Sequence, residues 1–433
     1  MTIDTREQAP AQAPPPNRRR RRVRLPRRPM AFLLALLFFF GPLGAFLLGA
    51  RPQAIENRPL AEFPSPSDGW SFFPEFTSWA TDHLPLRGEA VRGNAAFSER
   101  VFGEPPSYRT EAGTGGGPAA GVPSGNGTAT DTTQQAVEYP KVIGGKNGWL
   151  YYGEDVANLC QPTRTVPEVL TRLNRLAAAV ESSGRRFVLT VAPDKSTIHP
   201  QDLPDTYLGK ECSEQRRGEF WQALAQTPPS GYLDLRAPLQ DEIRRSGDPV
   251  YRPTDTHWGP RGAAVYVQAL AGRLDPAVAA STSVVETGPG TEPGDLSGML
   301  GQPVDDKIQT VELRRPGVSP IGRVGLQLPA MPLAPETFTD TTTGAPLFTP
   351  PTLLLGDSFS SASADMLGGL FSKVTLLHNE VASQSPQAVA DLMVDNDVVV
   401  YEIVERTIAS GRGALIEDAS LDAIEKTLAA HPR

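Results

Sequence analysis

Hydrophobic and polar residues alternate in blocks from about residue 137 onwards. Short apolar runs bounded by turn residues predict buried strands, and the longer stretches between them carry apolar residues at helical spacing. Strands and helices that alternate in this way are typical of a mostly parallel α/β sheet covered by helices on both faces. The predicted strands are 187–192, 232–235, 352–355, 374–377 and 397–403, and the predicted helices lie near 213–226, 237–246, 260–274, 360–371, 386–394 and 420–430.

Two local signals mark the beginning of this α/β region. Asn147-Gly148 separates two short apolar runs, which predicts the turn of a β-hairpin. Thr165 and Glu168 form a capping-box pattern with Pro167 in the first turn, and apolar residues recur on one face of the helix that follows. We therefore expect a hairpin and then a long amphipathic helix at the entrance to the sheet.

The first fifty residues have a different pattern. Residues 1–29 contain nine Arg and two acidic residues without apolar periodicity, and they are predicted to be a disordered basic cytoplasmic tail. Residues 30–50 carry no charge, and a helix of about 20 residues spans the hydrocarbon core of a lipid bilayer. The positive-inside rule predicts a single-pass signal-anchor in the cell membrane, with the rest of the chain extracytoplasmic. A cleaved signal peptide is the alternative, because residues 48–50 are small enough for a cleavage site.

Composition divides the rest of the chain. Residues 51–110 contain regularly placed aromatic residues and are predicted to be a helical segment. Residues 111–136 consist largely of Gly, Ala, Thr and Pro and are predicted to be a flexible linker. Residues 137–433 form the predicted main domain, in which residues 281–350 are rich in Pro, Gly and Thr and indicate an insertion of loops and short strands.

The formal net charge of -8 is unevenly distributed, because the basic tail leaves an acidic main body. Nucleic-acid binding needs a basic surface, so this composition argues against it. Outside the cytoplasm, Cys160 and Cys212 are able to pair, and closing a loop of this length would stabilise the fold by ~4 kcal/mol; two unpaired thiols are the alternative. These cysteines do not have the spacing of a zinc site, and we expect neither a metal nor a cofactor.

Ser358 is the first candidate for chemistry. The apolar run 352–355 ends in Gly356-Asp357-Ser358, and small residues then lead into a predicted helix. Ligands bind at the carboxyl ends of strands in α/β sheets, so we expect Ser358 to be exposed there with its own N–H directed at a developing oxyanion. Gly356 allows the tight turn, and Asp357 is expected to order it. The same tripeptide also occurs in ordinary turns.

Asp255 and His257 form the second candidate. A Ser hydroxyl needs a neighbouring base, and imidazole accepts a proton near neutral pH when a carboxylate orients one of its nitrogens. Asp255 and His257 lie two residues apart on a loop that precedes a predicted helix. An isolated His is more often structural, but the neighbouring carboxylate and the separate Ser358 turn favour a Ser-His-Asp set.

Together these residues resemble the alginate O-acetyltransferase family of the AlgJ and AlgX type. The resemblance depends on Tyr-x-x-Thr-Asp-Thr-His-Trp at 251–258 and on Leu-Gly-Asp-Ser-Phe at 355–359. It covers most of residues 51–410. Further stretches that agree with it are 56–60, 82–87, 145–150, 192–195 and 401–406.

The resemblance implies an SGNH-hydrolase-like fold with Ser358 as nucleophile, His257 as base and Asp255 as the carboxylate that orients the base. It also implies O-acetylation of an exported polysaccharide, with acetyl groups supplied by a separate multi-span membrane acyltransferase. The order Asp-x-His before Ser agrees with the alginate group rather than with most SGNH hydrolases. The usual oxyanion Gly and Asn are not identifiable, and we expect no carbohydrate-binding module of the AlgX type after the catalytic domain.

Three functions stay open at this point. The first is a membrane-anchored O-acetyltransferase that works through an acetyl-serine intermediate, which a fixed membrane anchor favours. The second is a carbohydrate acetyl esterase with the same three residues, and the third is a non-catalytic glycan-binding scaffold of a polysaccharide synthesis complex. Trp258, Arg406 and Lys195 are candidate substrate contacts, although packing and structural ion pairs account equally well for such residues.

Overall fold

The computed structural model describes part of the chain. The described residues are Phe40, Gly41, Gly44, Leu48, 63–65, 72–83, 137, 139–317, 336–339 and 344–433. The predicted tail, the predicted linker and most of the predicted membrane anchor therefore lie outside the described residues. Within these ranges, no helix has both the length and the apolar character needed to cross a membrane. The prediction of a helical segment at 51–110 is met at one described helix, Phe72–Asp82.

The described strands and helices follow each other in the alternating order that the sequence predicts. The strands are β1 (Val142–Gly144), β2 (Leu150–Tyr152), β3 (Arg186–Ala192), β4 (Tyr232–Leu233), β5 (Ser283–Pro293), β6 (Asp305–Arg314), β7 (Glu336–Thr339), β8 (Thr352–Gly356), β9 (Lys373–His378) and β10 (Val398–Val404). The helices are α1 (Phe72–Asp82), α2 (Glu154–Cys160), α3 (Val166–Ser182), α4 (Lys195–Ile198), α5 (Lys210–Gln226), α6 (Arg236–Ser246), α7 (Pro260–Leu274), α8 (Pro276–Ala280), α9 (Asp295–Met299), α10 (Ser358–Ser361), α11 (Ala364–Leu367), α12 (Val381–Gln384), α13 (Pro386–Val394), α14 (Glu405–Ala409) and α15 (Asp418–Ala430).

A mixed sheet with strand order β4-β3-β10-β8-β9-β7 forms the centre of the described fold. The pairs from β4 to β9 are parallel, and β7 runs antiparallel to β9 at the edge. The five predicted strands are confirmed. The edge strand β7 lies in the segment 281–350, for which the sequence predicts loops and short strands without placing them.

Apolar side chains cover the sheet on both faces. Alternate residues of β3 point to opposite sides: Phe187 and Leu189 pack with α3, α5, α13 and α15, whereas Val188 packs with α6 and α7. Since strands β3, β8 and β10 are parallel, their carboxyl ends lie at one edge of the sheet. This edge is where the predicted nucleophile turn begins.

The residues that lead into the sheet form the hairpin and the helix start that the sequence predicts. β1 pairs with β2 antiparallel across a turn in which Asn147 has φ 57° and Gly148 has φ 80°, as the hairpin prediction requires. Thr165 and Glu168 form the predicted capping box at the start of α3. Cys160 of α2 and Cys212 of α5 form a disulfide, so the predicted pairing is confirmed.

One predicted helix needs correction. The predicted helix at 360–371 is broken into α10, α11 and a 3₁₀ turn at Gly368–Leu370, because small residues and two consecutive glycines give this stretch little helix propensity. The segment 281–350 contains a long antiparallel hairpin, β5 with β6, whose connection carries the short helix α9. The sequence predicts loops and short strands for this segment, and these two strands have 11 and 10 residues.

Candidate active site

The nucleophile turn, defined here as residues 356–360, joins β8 to α10. Gly356 ends the strand, Asp357 caps the helix and Ser358 is its first residue. A Cβ on Gly356 would overlap the side chain of Ser360, so only glycine fits this close approach. Ser358 is half-buried, and its N–H belongs to the first helical turn, whose N–H groups have no partner within the helix.

Two carboxyl groups hold the nucleophile turn against the sheet. Asp357 Oδ1 accepts from the N–H of Phe359 at 2.8 Å, and Asp357 Oδ2 accepts from the N–H of Val404 at 2.7 Å. Glu402 Oε2 accepts from the N–H of Asp357 at 3.0 Å and from the hydroxyl of Ser360 at 2.7 Å. These contacts fix the backbone on both sides of Ser358, which agrees with the expectation that Asp357 orders the turn.

Glu402 is fully buried in β10. Burial, together with the nearby charge of Asp357, raises the pKa of Glu402 well above its ordinary value. Glu402 Oε1 is buried without a hydrogen-bond partner among the described residues. The nucleophile turn is therefore held by a side chain that favours its neutral form.

The histidine loop, defined here as residues 252–258, connects α6 to α7. Asp255 Oδ1 accepts from the backbone N–H of His257 at 2.8 Å and lies 2.9 Å from His257 Nδ1. Asp255 Oδ2 pairs with Arg252 Nη2 at 2.6 Å. Because Nδ1 then carries the proton and donates it to Asp255, the lone pair of the imidazole is on Nε2. This is the tautomer that a general base needs.

The surroundings of Asp255 favour its charged form. Burial alone would raise the pKa of Asp255, but the hydrogen bond and charge of His257 and the guanidinium of Arg252 outweigh this and hold the pKa well below its usual range. Asp255 is therefore a carboxylate throughout the neutral range. A carboxylate in this position stabilises the imidazolium that forms when His257 takes a proton.

The histidine loop is supported from both sides by residues that are distant in sequence. From α4, the ammonium of Lys195 donates to the carbonyls of Arg252 and Pro253 at 3.1 Å and of Asp255 at 2.6 Å. Burial lowers the pKa of Lys195 to about 8. Its three donors are used within the protein, so Lys195 shapes the loop.

The hairpin formed by β5 and β6 supports the other side of the loop. Asp306 accepts from the N–H of Thr254 with both oxygens, at 3.2 and 3.0 Å, and Asp295 Oδ1 accepts from the N–H of Thr256 at 2.7 Å. The N–H of Asp295 in turn donates to Asp255 Oδ2 at 3.0 Å. Asp295 and Asp306 were not predicted as site residues, because no local sequence pattern links them to residues 252–258.

The histidine loop and the nucleophile turn contact each other at Phe359. The His257 ring lies 5.2 Å from the ring of Phe359, the residue that follows Ser358. The indole N–H of Trp258 donates to the hydroxyl of Ser363 at 3.0 Å, just beyond α10. Three of the predicted site residues, Asp255, His257 and Ser358, are thus carried by two segments that pack against each other at the carboxyl edge of the sheet. A Ser hydroxyl, an imidazole and a carboxylate are the groups that acyl transfer uses when the base lies within hydrogen-bond reach of the hydroxyl.

The predicted substrate contacts are not supported by the structure. Lys195 is 1% exposed and Trp258 is 2% exposed. Arg406 is 7% exposed, and its Nη1 pairs with Asp194 at 2.8 Å and Asp155 at 3.5 Å. All three side chains are buried, and the polar atoms named for them contact protein groups.

Asp255, His257 and Asp295 also form a group whose ligand atoms lie within 4.8 Å of one another. Asp255 accepts hydrogen bonds from His257 and from the N–H of Asp295, and it forms an ion pair with Arg252. Asp295 Oδ1 accepts a hydrogen bond from the N–H of Thr256. This hydrogen-bonded arrangement accounts for the group without a metal ion.

The family described as "SGNH hydrolase-like domain, acetyltransferase AlgX" matches residues 142–375, which include His257 and Ser358. A probable alginate O-acetylase AlgJ of Pseudomonas syringae pv. tomato is 31% identical over 133 residues, which is 30% of this chain and 32% of that protein. A probable alginate O-acetylase AlgJ of Pseudomonas putida is 30% identical over 135 residues, 30% of this chain and 33% of that protein. The chain thus spans about a third of the length of these curated relatives.

One solved structure is also similar. The O-acetyltransferase domain of Pseudomonas putida AlgJ has a TM-score of 0.44 at 19% identity and covers 66% of this chain and 99% of that chain. The family match spans β1 to β9 and more than half of the chain. The chain therefore belongs to the family of SGNH hydrolase-like acetyltransferase domains of the AlgX type.

Proposed function

We propose that this protein is a membrane-anchored O-acetyltransferase that acetylates an exported cell-surface polysaccharide through an acetyl-serine intermediate. The observation that carries the proposal is the joint position of two segments. His257, oriented by Asp255 at 2.9 Å, packs against Phe359, and Phe359 directly follows Ser358 at the start of α10. Family membership and the names of the curated relatives, probable alginate O-acetylases, point to the same chemistry.

The proposed reaction has two matched halves. In the first, Ser358 Oγ attacks the carbonyl carbon of an acetyl donor while Nε2 of His257 takes the hydroxyl proton. The tetrahedral intermediate expels the donor group, which leaves with that proton, and acetyl-Ser358 forms. In the second, a sugar hydroxyl attacks the acetyl carbon, His257 takes its proton, and Ser358 leaves and regains a proton from His257. Asp255 stabilises the imidazolium in both halves.

The N–H of Ser358 suits the oxyanion of both intermediates. It lies in the first turn of α10, whose N–H groups have no partner within the helix, and the nucleophile turn fixes its direction through Asp357 and Glu402. Donors held in place before the reaction stabilise developing charge without reorganising, which is why a rigid turn at this point favours catalysis.

We further propose that residues 30–50 anchor the chain in the cell membrane, with residues 1–29 in the cytoplasm and the catalytic domain outside. The uncharged run at 30–50, the Arg-rich segment before it and the Cys160–Cys212 disulfide support this placement. Outside the cytoplasm the acetyl donor has to be supplied across the membrane, so the proposed partner is a multi-span membrane acyltransferase.

The test measures acetyl transfer by the full chain in lipid nanodiscs. Wild type, Ser358→Ala and His257→Ala are incubated with a chromogenic acetyl ester, with and without an acetyl-free oligosaccharide. Intact-mass and peptide mass spectrometry detect acetyl on Ser358, and the product sugar is analysed for O-acetyl groups. Ser361→Ala and His431→Gln serve as matched controls, since Ser361 ends the same short helix and His431 is exposed after α15.

We expect acetyl-Ser358 and acetylated sugar with wild type and both controls, and neither product with the two active-site variants. Release of acetate without sugar acetylation would replace the transferase by a carbohydrate esterase. Equal inertness of all folded variants, combined with oligosaccharide binding, would replace it by a glycan-binding scaffold.

A further inference from the structure

Helix α9 brings a second carboxylate to His257. It lies in the connection between β5 and β6, and its first residue is Asp295. Asp295 Oδ2 lies 3.8 Å from His257 Nδ1, while Asp295 Oδ1 accepts from the N–H of Thr256 at 2.7 Å. The N–H groups of Leu296 and Ser297 donate to the carbonyl of Thr254 at 3.1 and 3.3 Å. The start of α9 is therefore bonded to the histidine loop through both its backbone and its side chain.

We propose that Asp295 is a positioning residue for the His257 base. Its Oδ1 fixes the backbone between Asp255 and His257, and its Oδ2 shares with Asp255 the positive charge that the imidazole gains when it takes a proton. This inference rests on the proposed function, because it assigns a task to Asp295 within the same catalytic step.

The division of work between the two carboxylates follows from their contacts. Asp255 Oδ1 accepts from His257, and Asp255 Oδ2 accepts from the N–H of Asp295 and pairs with Arg252. The negative charge of Asp255 is therefore largely balanced by its partners. Asp295 is hydrogen-bonded by Thr256 through its backbone N–H, which donates to Oδ1, and through its side chain, while Oδ2 lies 3.8 Å from His257 Nδ1. Burial and the charge of Asp255 raise the pKa of Asp295, which is the environment expected when two carboxylates share one cation.

The charged groups around the imidazole come from three elements. They are Asp255 and Arg252 of the histidine loop, Asp295 of α9 and Lys195 of α4, whose ammonium binds the carbonyl of Asp255. The nucleophile side faces the imidazole with the uncharged ring of Phe359. Among these groups Asp295 can be neutralised with the smallest change of shape, because Asn keeps the oxygen that accepts from Thr256.

The test compares the pH dependence of kcat/KM for acetyl-ester turnover in the full chain. Neutral imidazole is the active form of the base, so the acid limb of the profile reports the protonation of the base in the free protein. A carboxylate that faces an imidazole stabilises its protonated form, and Asp295→Asn removes such a carboxylate at 3.8 Å. We expect the midpoint of the acid limb to move down by about 1 pH unit and the plateau to fall about tenfold.

Asp306→Asn is the matched control. Asp306 lies at the start of β6, is bonded to the N–H of Thr254 and undergoes the same chemical change, but no contact joins it to the imidazole among the described residues. We expect its acid limb to coincide with that of wild type. Asp295→Glu restores the charge and is expected to return the midpoint towards the wild-type value.

An acid limb that stays in place in Asp295→Asn while the plateau falls would overturn the proposal and leave a purely structural role. Equal shifts in Asp295→Asn and Asp306→Asn would overturn it as well. The imidazole pKa of His257 is also measured by NMR in Ser358→Ala, with and without Asp295→Asn. This titration needs no turnover, so it decides the inference even if wild type and Ser358→Ala are equally inert and the proposed function fails.

Discussion

The histidine loop and the nucleophile turn lie side by side but are held in different ways. Charged groups from outside the central sheet hold the histidine loop: the ammonium of Lys195 on one side and the carboxylates of Asp295 and Asp306 on the other. The nucleophile turn is held from within the sheet, by Glu402 of β10 and by the N–H of Val404 at the end of the same strand.

This difference indicates how each half should respond to mutation. The histidine loop depends on charge, because its supporting side chains are ions that face backbone dipoles and an imidazole. The nucleophile turn depends on shape, because Glu402 favours its neutral form and Gly356 leaves no room for a Cβ. A substitution that removes charge at constant shape should therefore damage the first half, whereas at Glu402 it should spare the second.

The largest effect is expected for Asp255→Asn. Asn retains an oxygen for the N–H of His257 but removes the charge that holds Nδ1–H and stabilises the imidazolium. We expect kcat/KM for acetyl transfer to fall by about 10³–10⁴-fold with the fold retained. Steady-state kinetics and circular dichroism measure the two quantities.

Asp248→Asn is the control for Asp255→Asn, since Asp248 also pairs with an arginine, Arg261, at 3.0 Å. Its kinetics should match those of wild type. A loss for Asp255→Asn of less than about tenfold would mean that the histidine loop does not depend on charge and would remove the contrast between the two halves.

The second effect concerns stability. Lys195→Met keeps the length of the side chain but leaves the carbonyl of Asp255 without its donor and weakens those of Arg252 and Pro253. We expect the free energy of unfolding to fall by about 2 kcal/mol, because a buried acceptor is left unpaired. Denaturant unfolding with the disulfide intact gives this value. Lys426→Met, at an exposed position of α15, should stay within ~0.5 kcal/mol of wild type, and equal losses for both variants would contradict the assigned role.

The same contrast separates the parts of the site that could be predicted from the sequence from those that could not. The nucleophile turn was predictable because its signals are local: an apolar strand, then Gly356 and Ser358, then a helix start. Asp255 and His257 were predictable because they are two residues apart. The supports of the histidine loop were not predictable, since Asp295 and Asp306 are brought to it only by the β5–β6 hairpin, which lies in a segment with the composition of loops.

The predicted substrate contacts were inferred from residue type alone. Lys195 and Arg406 are charged, and Trp258 is aromatic, which are residue types that often contact sugars. Sequence alone does not reveal that the partners of Lys195 are the carbonyls of the histidine loop or that Asp194 pairs with Arg406. These three side chains are buried by residues that are distant in sequence, and a local sequence pattern does not predict such burial. The same holds for the edge strand β7, whose partner β9 lies beyond the nucleophile turn.

The smallest effect is expected at the nucleophile turn. Glu402→Gln keeps the shape and the oxygen that accepts from Asp357 and Ser360, so we expect acetyl transfer to change by less than about threefold and stability at pH 5 by less than about 1 kcal/mol. The raised pKa of folded Glu402 means that its stabilising contribution is complete below the unfolded value of 4.5 and is lost as the pH rises towards the folded pKa.

Gln cannot ionise, so Glu402→Gln should gain stability relative to wild type as the pH rises above 4.5. Denaturant unfolding of both proteins from pH 5 to pH 8 measures this divergence, and Glu219→Gln, at an exposed position of α5, should follow the wild-type curve. Parallel curves for wild type and Glu402→Gln would mean that Glu402 is ionised in the folded protein. Both halves of the site would then be held by charge, and the rigidity of the nucleophile turn would need another explanation.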